Sequence, residues 1–547
     1  MPSEVFSATY LIDQDDRLRT APALLFTGDP ERDFYKPFGI AAIQGGAYPS
    51  NLWVSTRIDD YNIALMQGRP YERPVFVEWY PSDGTPGFRE PAGLRLASSP
   101  YSRPRLQLKH TADSPFQPLP VEKPSFNLFF RGDYGAEELE YPVFGEDHPV
   151  RTFDQLRARA GKNDILNPFI KDELIRRAFI RMGHAVSKGL INTLYINGVY
   201  KGFYNTVERY RAPFFQQHHG GGPDWDIIIR EAVEDGDTDS WKSMMAALSK
   251  NLTQKENYDA ALSTLDLDEV IDYFLINTYT AQNDWPDNNW VAARERRPEG
   301  RWRLYLWDTE ISFAHNPNKP VSYDTIQGDL KGMSGSLPSL FRALNASAEI
   351  RLRMADRIHR HFFNGGTLDD RDLKNSTLVR EKDALVTAFQ PLLEFTHSQT
   401  VNQSFWNSWV RASGGRRSHL FGGAGVSGTG IFRKHGLWPV TEPPVLSRQG
   451  GAFDSGEKLS LAIPATAPAE SAIYFTLDNT DPRLFGGEVS AKAQAWTTPL
   501  DLSGWPAVTV KARVRNGATG EWSALAEAAF SSPAVPAAAK ALHSPVA

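Results

Sequence analysis

NDWPDNNWVAARERRPEGRWRLYLWDTEISF, residues 283–313, carries the densest chemical signals in the chain. Asp284 is followed by Asn289, then by two short β-like runs, then by Asp308 and Glu310. Hard oxygen donors of this kind hold magnesium, and a positioned carboxylate can accept a nucleophile's proton. The structural alternative is a polar turn between a helix and a hairpin, since Asn and Asp satisfy nearby backbone groups. The flanks bear on the choice. Upstream, DEVIDYFLINTYT at 268–280 is strongly apolar and predicts a buried helix running into the loop at Asn283. Downstream, the Pro/Asn/Gly-rich segment to Gly335 has the composition of an ordered active-site loop rather than a packed element.

Moving outward, 337–395 and 238–281 predict helices. TLYINGVYKGFYNTVERY predicts a hairpin turning at Asn197-Gly198, with Glu208 where the second strand leaves the sheet. The adjacent His218 and His219 lack further ligands at metal-binding spacing and read as surface histidines. PFIKDELIRRAFIRMG at 168–183 predicts a helix, with Pro at its start, acids in its first turn and Gly183 at its end. Residues 91–145 predict a small antiparallel sheet, its strands GLRLASS and PSFNLFF separated by a polar insertion, Pro100–Pro120, with Lys123 opening the second strand. Residues 1–90 alternate short β runs with turns and read as a lead-in packed on the following domain, 91–395. Residues 396–440 read as a helical and loop connector, 441–531 as about 90 residues of short strands forming an immunoglobulin-like sandwich, and 532–547 as a disordered tail.

Composition narrows the function classes. A chain of 547 residues suggests roughly three domains of about 150 residues each. A hydrophobic content of 41% and charged content of 23% mark a globular protein. The formal net charge of −6 is small for this length and argues against a nucleic-acid partner. With no cysteine, disulfides, thiolate zinc sites and cysteine nucleophiles are excluded, and an extracytoplasmic bacterial protein is suited. No signal peptide is visible over Met1–Arg17, and no apolar run approaches the roughly 20 residues of a membrane span.

The Asp284-x4-Asn289 spacing is that of a protein-kinase catalytic loop, where Asp orients the attacking hydroxyl and Asn helps hold a metal. Four segments extend the likeness: KPSFNLFFRGDYGAEELEYPVF, YINGVYKGFYNTVER, NDWPDNN and YLWDTEISF. In this order and spacing they resemble the CotH kinase family, atypical kinases associated with spore coats, over roughly residues 25–440. Residues 446–530, through IYFTLDNTDPRLFGG and VKARVRNGATGEWS, resemble the chitobiase/β-hexosaminidase C-terminal domain.

The resemblance implies an α+β chain: an atypical bilobal protein-kinase-like fold with a C-terminal all-β immunoglobulin-like sandwich. It implies ATP with Mg2+ or Mn2+ as cofactors and a protein Ser/Thr hydroxyl as acceptor. Carried over, Lys123 contacts the nucleotide phosphates, with Lys109 as a rival and Glu173 as its acidic partner. Asp284 is the catalytic base, and Asn289 and Asp308 bind the metal. Glu310, in WDTE where the family has WDxD, is a second metal ligand. Glu208 lies at the hinge near adenine. The alternatives are a catalytically silent envelope or coat protein, or a carbohydrate-associated surface protein. In the latter, Trp496, Trp505 and Trp522 meet cell-surface glycan instead of filling a sandwich core. An extracellular or cell-envelope location in a bacterium follows from the same likeness.

Overall fold

The computed structural model describes residues 9–12, 14–47, 49–97, 123–161, 169–315, 317–411, 414–423, 426, 428–453 and 456–532. Lys109, with the whole of the Pro-rich insertion, and the tail from 533 lie outside these described residues. Helices and largely antiparallel sheets both contribute, consistent with the α+β class.

The first unit is a closed barrel of β1 (Ala23–Thr27), β2 (Arg73–Tyr80), β3 (Phe88–Ala97), β4 (Ser125–Phe129), β5 (Gln155–Arg159), β6 (Gly189–Ile196) and β7 (Val199–Glu208). Its order is β1-β6-β7-β5-β4-β3-β2, closed by β2 pairing with β1. Alternation drives it: Leu94, Leu128 and Leu156 pair across β3, β4 and β5 and fill the interior, and the intervening residues face outward. One outward row is Arg95, Asn127, Arg157 and Val207, and in the next Arg159 pairs with Asn205. The hairpin turn is as expected. Asn197 and Gly198 take φ of 47° and 77°, and the Asn197 side chain exchanges two 3.0 Å bonds with the Gly28 backbone, stapling the turn to the end of β1.

Two expectations fail here. The boundary at residue 90 falls inside β3, because β1 and β2 are barrel strands rather than a lead-in. The segment before Gly335 is packed: Ile326 and Leu330 are fully buried in a single wide helical turn at Ile326–Lys331.

Between β5 and β6 the chain forms α1 (Lys171–Arg181). After β7 come α2 (Ala212–His219), β8 (Trp225–Ile229), β9 (Ala232–Asp235), α3 (Asp239–Leu248), α4 (Lys255–Leu262) and α5 (Leu267–Thr280). β10 (Trp290–Glu295) and β11 (Arg303–Leu306) complete a four-stranded sheet ordered β9-β8-β10-β11. α6 (Ser336–Ala346), α7 (Ala348–Phe362) and α8 (Thr377–His397) follow. α5 is buried at every residue from Glu269 to Thr280, as its apolar run predicts. Each large apolar side chain so buried contributes about 1.5–3 kcal/mol. Ile191 and Phe203, on the outer face of β6 and β7, join this helical core, so the barrel docks through that face. Phe405, Trp406, Trp409, Phe432 and Trp438 belong to it as well, so 396–440 is part of the body rather than a loose connector.

Beyond it lies a five-stranded sheet of β12 (Gly451–Ala452), β13 (Ala472–Thr476), β14 (Gln494–Ala495), β15 (Ala507–Arg515) and β16 (Ala526–Ser531), ordered β12-β16-β15-β13-β14. Two short ladders share its core through Leu446, Leu459, Leu461 and Leu502. Arg513 on β15 meets Asp356 on α7 with two 2.7 Å bonds, and Arg483 meets Glu349 at 2.6 and 2.7 Å. The all-β segment is therefore clamped to the helical body. Among the described residues, no helix is long and apolar enough to cross a membrane.

Candidate functional site

β5 ends at Arg159, α1 begins with Asp172 and Glu173, and the turn after β11 carries Asp308 and Glu310. These elements meet around a small, partly open pocket lined by Arg159, Phe169, Asp172, Glu173, Asn205 and Glu310. Arg159 is its centre. One guanidinium nitrogen donates to Asp308 and, at 3.3 Å, to Glu310, while the other lies 3.4 Å from Asp172. Burial opposes its charge, but Asp172, Asp308 and Glu310 more than restore it.

The acidic turn is tied to α1. Asp172 accepts from the Thr309 backbone N–H at 2.8 Å and from the Thr309 hydroxyl at 2.9 Å. Burial pushes the Asp172 carboxyl up, but the charges of Arg159 and Arg176 and the Thr309 donors outweigh it and hold it at about 2. Asp308 (φ 53°) and Asn289 (φ 55°) both occupy the left-handed region, which Asn and Asp tolerate and which recurs at functional sites.

The loop from α5 forms a strap behind this turn. Asn289 Nδ2 and Gln282 Nε2 both donate to the Asp308 carbonyl, at 3.1 and 3.0 Å. The N–H of Asn283 donates to Ile311, and that of Phe313 to Thr280. Lys319 is buried and donates to the Gln282 carbonyl at 2.8 Å and to Asp329 at 2.7 Å. Trp285 plugs the strap into the core, with its indole N–H on the Tyr273 hydroxyl at 2.9 Å. Asp284 is half-buried on this strap, its carboxylate accepting from Asn283 at 3.3 Å.

The structure thus brings Asn289, Asp308 and Glu310 together, with Asp284 on the adjoining strap. The other nominated residues are placed differently. Glu173 does not serve Lys123: it is held by Arg177 at 2.9 Å, Arg176 at 2.8 Å and Asn205 at 3.2 Å. Gly189 is required beside that network, because a Cβ there would lie 2.4 Å from both Glu173 and Asn205 oxygens. Lys123 instead donates to the Phe203 carbonyl and lies 4.3 and 4.4 Å over the rings of Phe203 and Tyr204. Glu208 is fully buried and engaged. It accepts from Lys188 N–H at 2.8 Å and meets His148 and His218 at 3.1 and 3.3 Å. Burial pushes its carboxyl up, and the two imidazoles overcome this and hold it at about 2. The surface reading of His218 and His219 is wrong. His218 packs under Glu208, and His219 bonds the Tyr305 hydroxyl at 2.8 Å, with burial pushing its imidazole down to about 3.

Sequence reasoning missed Arg159 and Asp172. QLRAR alternates, placing Arg157 and Arg159 on one face of the strand that precedes an acidic helix start. That is where a protein kinase carries its strand lysine and helix glutamate. It also missed a basic face. Arg157 and Arg209 flank Trp307 at 5.3 and 5.8 Å, with Arg95 and Arg211 nearby in charge. Burial pushes Arg157 down to about 9 and Arg209 down further, and two Arg209 nitrogens are buried without a hydrogen-bond partner among the described residues. Buried, unsatisfied guanidinium donors fit an anion.

Residues 120–364 match a family model described as CotH kinase protein. The matched stretch holds the site from β4 through α7, including Arg159, Asp172, the strap and the Asp308 turn. No curated protein matches the chain.

Proposed function

We propose that this chain is a CotH-like atypical kinase that transfers the γ-phosphoryl of ATP to a Ser or Thr hydroxyl of a protein. The observation that carries this reading is the convergence of Asp308 and Glu310 on one cation, Arg159, with Asn289 bonded to the Asp308 carbonyl behind them and an arginine-rich face alongside. The match over residues 120–364 supports it, as does a barrel followed by a helical body, which suits a bilobal kinase-like arrangement.

The donor set fits a hard divalent ion: two carboxylates and an amide oxygen, held by a strap that fixes the Asp308 backbone. Asp308, Glu310 and Asn289 would hold Mg2+ or Mn2+, which neutralises charge on phosphate oxygens when bound. Asp284 accepts the proton of the acceptor hydroxyl. Arg159 and the face of Arg157 and Arg209 receive anionic oxygens, a role assigned to Arg159 in preference to Lys123 because Arg159 lines the cleft. Isothermal titration with Mg-ATP, wild type against Asp308→Ala, tests the site. Heat lost in the variant is expected, and no heat in either protein rejects the reading. Transfer of labelled phosphate to a Ser/Thr protein separates turnover from binding.

A silent coat or envelope protein is the second reading, favoured by Arg159 already neutralising Asp308 and Glu310 within the chain. It predicts nucleotide binding without transfer. For the C-terminal segment, which we read as a chitobiase-like sandwich, Trp522 is buried, as a core role requires, whereas Trp505 is 44% exposed and offers a sugar-stacking face.

A further inference from the structure

Glu208 ends β7, and its carboxylate is the meeting point of two histidines from separate elements. His148 comes from the turn before β5, and His218 from the last turn of α2. Their side chains are 5%, 2% and 7% exposed for His148, Glu208 and His218. The three ligand atoms lie within 4.8 Å of one another.

Two features distinguish this arrangement from a chance ion pair. Both imidazoles present Nε2 to the same oxygen, Oε1, at 3.1 and 3.3 Å. A tetrahedral zinc ion with bonds of about 2.0–2.1 Å needs its ligand atoms about 3.3 Å apart. In addition, each ligand is aimed from outside the cluster. Lys188 N–H holds Oε2 of Glu208 at 2.8 Å, Phe144 packs on His148 at 5.6 Å, and Phe214 packs on His218 at 4.2 Å. Two imidazoles and one carboxylate suit zinc and its transition-metal neighbours rather than Mg2+ or Ca2+, which prefer all-oxygen shells.

We propose that His148, Glu208 and His218 bind one divalent transition-metal ion, zinc by preference, with water in the remaining position. The ion cross-links the His148 turn, the barrel and α2 where the chain passes from barrel to helical body. The site is independent of the cleft at Arg159 and stands whether or not that cleft transfers phosphate. It also removes Glu208 from contact with a nucleotide base, since one carboxylate cannot serve both.

The test uses the full chain, stripped with a chelator and titrated with Co2+. One equivalent should bind with the intense visible absorption of a four- or five-coordinate ion, and Zn2+ but not Mg2+ should displace it. His148→Gln and His218→Gln should each weaken binding of the strongly absorbing Co2+ by about tenfold or more. Near-ultraviolet circular dichroism shows whether each variant is folded. Should a variant unfold, the wild-type spectrum decides alone. A wild-type protein that binds no Co2+, or binds it only with the weak absorption of an octahedral ion, overturns the site. So does full binding in a folded double variant.

Discussion

Replacing Arg159 with methionine tests whether the cleft is built around a cation. The guanidinium is 14% exposed and holds Asp308, Glu310 and Asp172 together. Removing one partner of a buried ion pair costs about 3–5 kcal/mol, because the other charge stays buried and unpaired. The lower end applies here. Asp308 is 37% exposed and can turn to water, and Asp172 keeps Arg176 and Thr309. Arg159→Met should therefore lose about 3 kcal/mol in EDTA. The remaining carboxylates form a stronger divalent site once the competing charge is gone. At a Mg2+ concentration about 100 times its dissociation constant, binding returns about 2.7 kcal/mol. Denaturant unfolding of wild type and variant, in EDTA and in Mg2+, gives four curves. The variant should be the more Mg2+-dependent of the two proteins. A loss under about 1 kcal/mol, well below the cost of breaking a buried pair, with no Mg2+ response in either protein, would refute the reasoning.

Three further outcomes follow from the same structure. Arg209 is buried among like charges with unpartnered donors, so Arg209→Met should stabilise the free protein by about 1–3 kcal/mol while weakening Mg-ATP binding; melting and titration check the two signs. Burial pushes the Glu269 carboxyl up from 4.5 to about 8, against the opposing charges of His184 and of Arg303 at 3.3 Å, with Asp266 and Asp272 adding to the rise. A raised folded pKa gives stability that is full below about 4.5 and drains as pH climbs through about 8. Glu269→Gln should flatten that decline, and a parallel pH profile for both proteins would show that Arg303 keeps Glu269 ionised. Arg513→Ala strips the buried Asp356 of a two-bond partner and should cost about 3–5 kcal/mol, loosening the C-terminal sheet from α7 and exposing the chain near residue 440 to limited proteolysis.

What was legible in the sequence follows a physical division. Signals carried by neighbours along the chain were readable. The Asn197-Gly198 turn, the buried run at 268–280 and the acid-first helix at α1 each state a local preference. The candidate acidic cluster could be nominated because Asp284, Asn289, Asp308 and Glu310 lie within one stretch. Partnerships across strands were not. Arg159 meets Asp308 across a separation of 149 residues, and nothing local to QLRAR announces it. Glu173 and Lys123 were paired by analogy, yet Arg176 and Arg177, three and four residues on along the same helix, reach Glu173. The histidines failed for the same reason: His218 and His148 meet at Glu208 only when α2, β7 and the His148 turn are folded together.

The residues that defied prediction are mostly arginines, and that has a chemical meaning. Arg95, Asn127 and Arg157 align across three strands on the barrel's outward face, with Arg159 one row away. A barrel wall needs apolar residues inside, but its outer face here turns toward Trp307 and Asp308 rather than toward bulk water. Placing guanidinium groups there costs desolvation that a purely structural face would avoid with threonine or valine. Asp308 and Glu310 bond Arg159 directly, Asp308 helps Arg157 only through its charge, and Arg209 keeps two buried donors without a partner among the described residues. On the proposed reading, an anionic ligand would complete the balance from one side and a divalent cation from the other, each displacing part of the internal pairing that Arg159 now supplies.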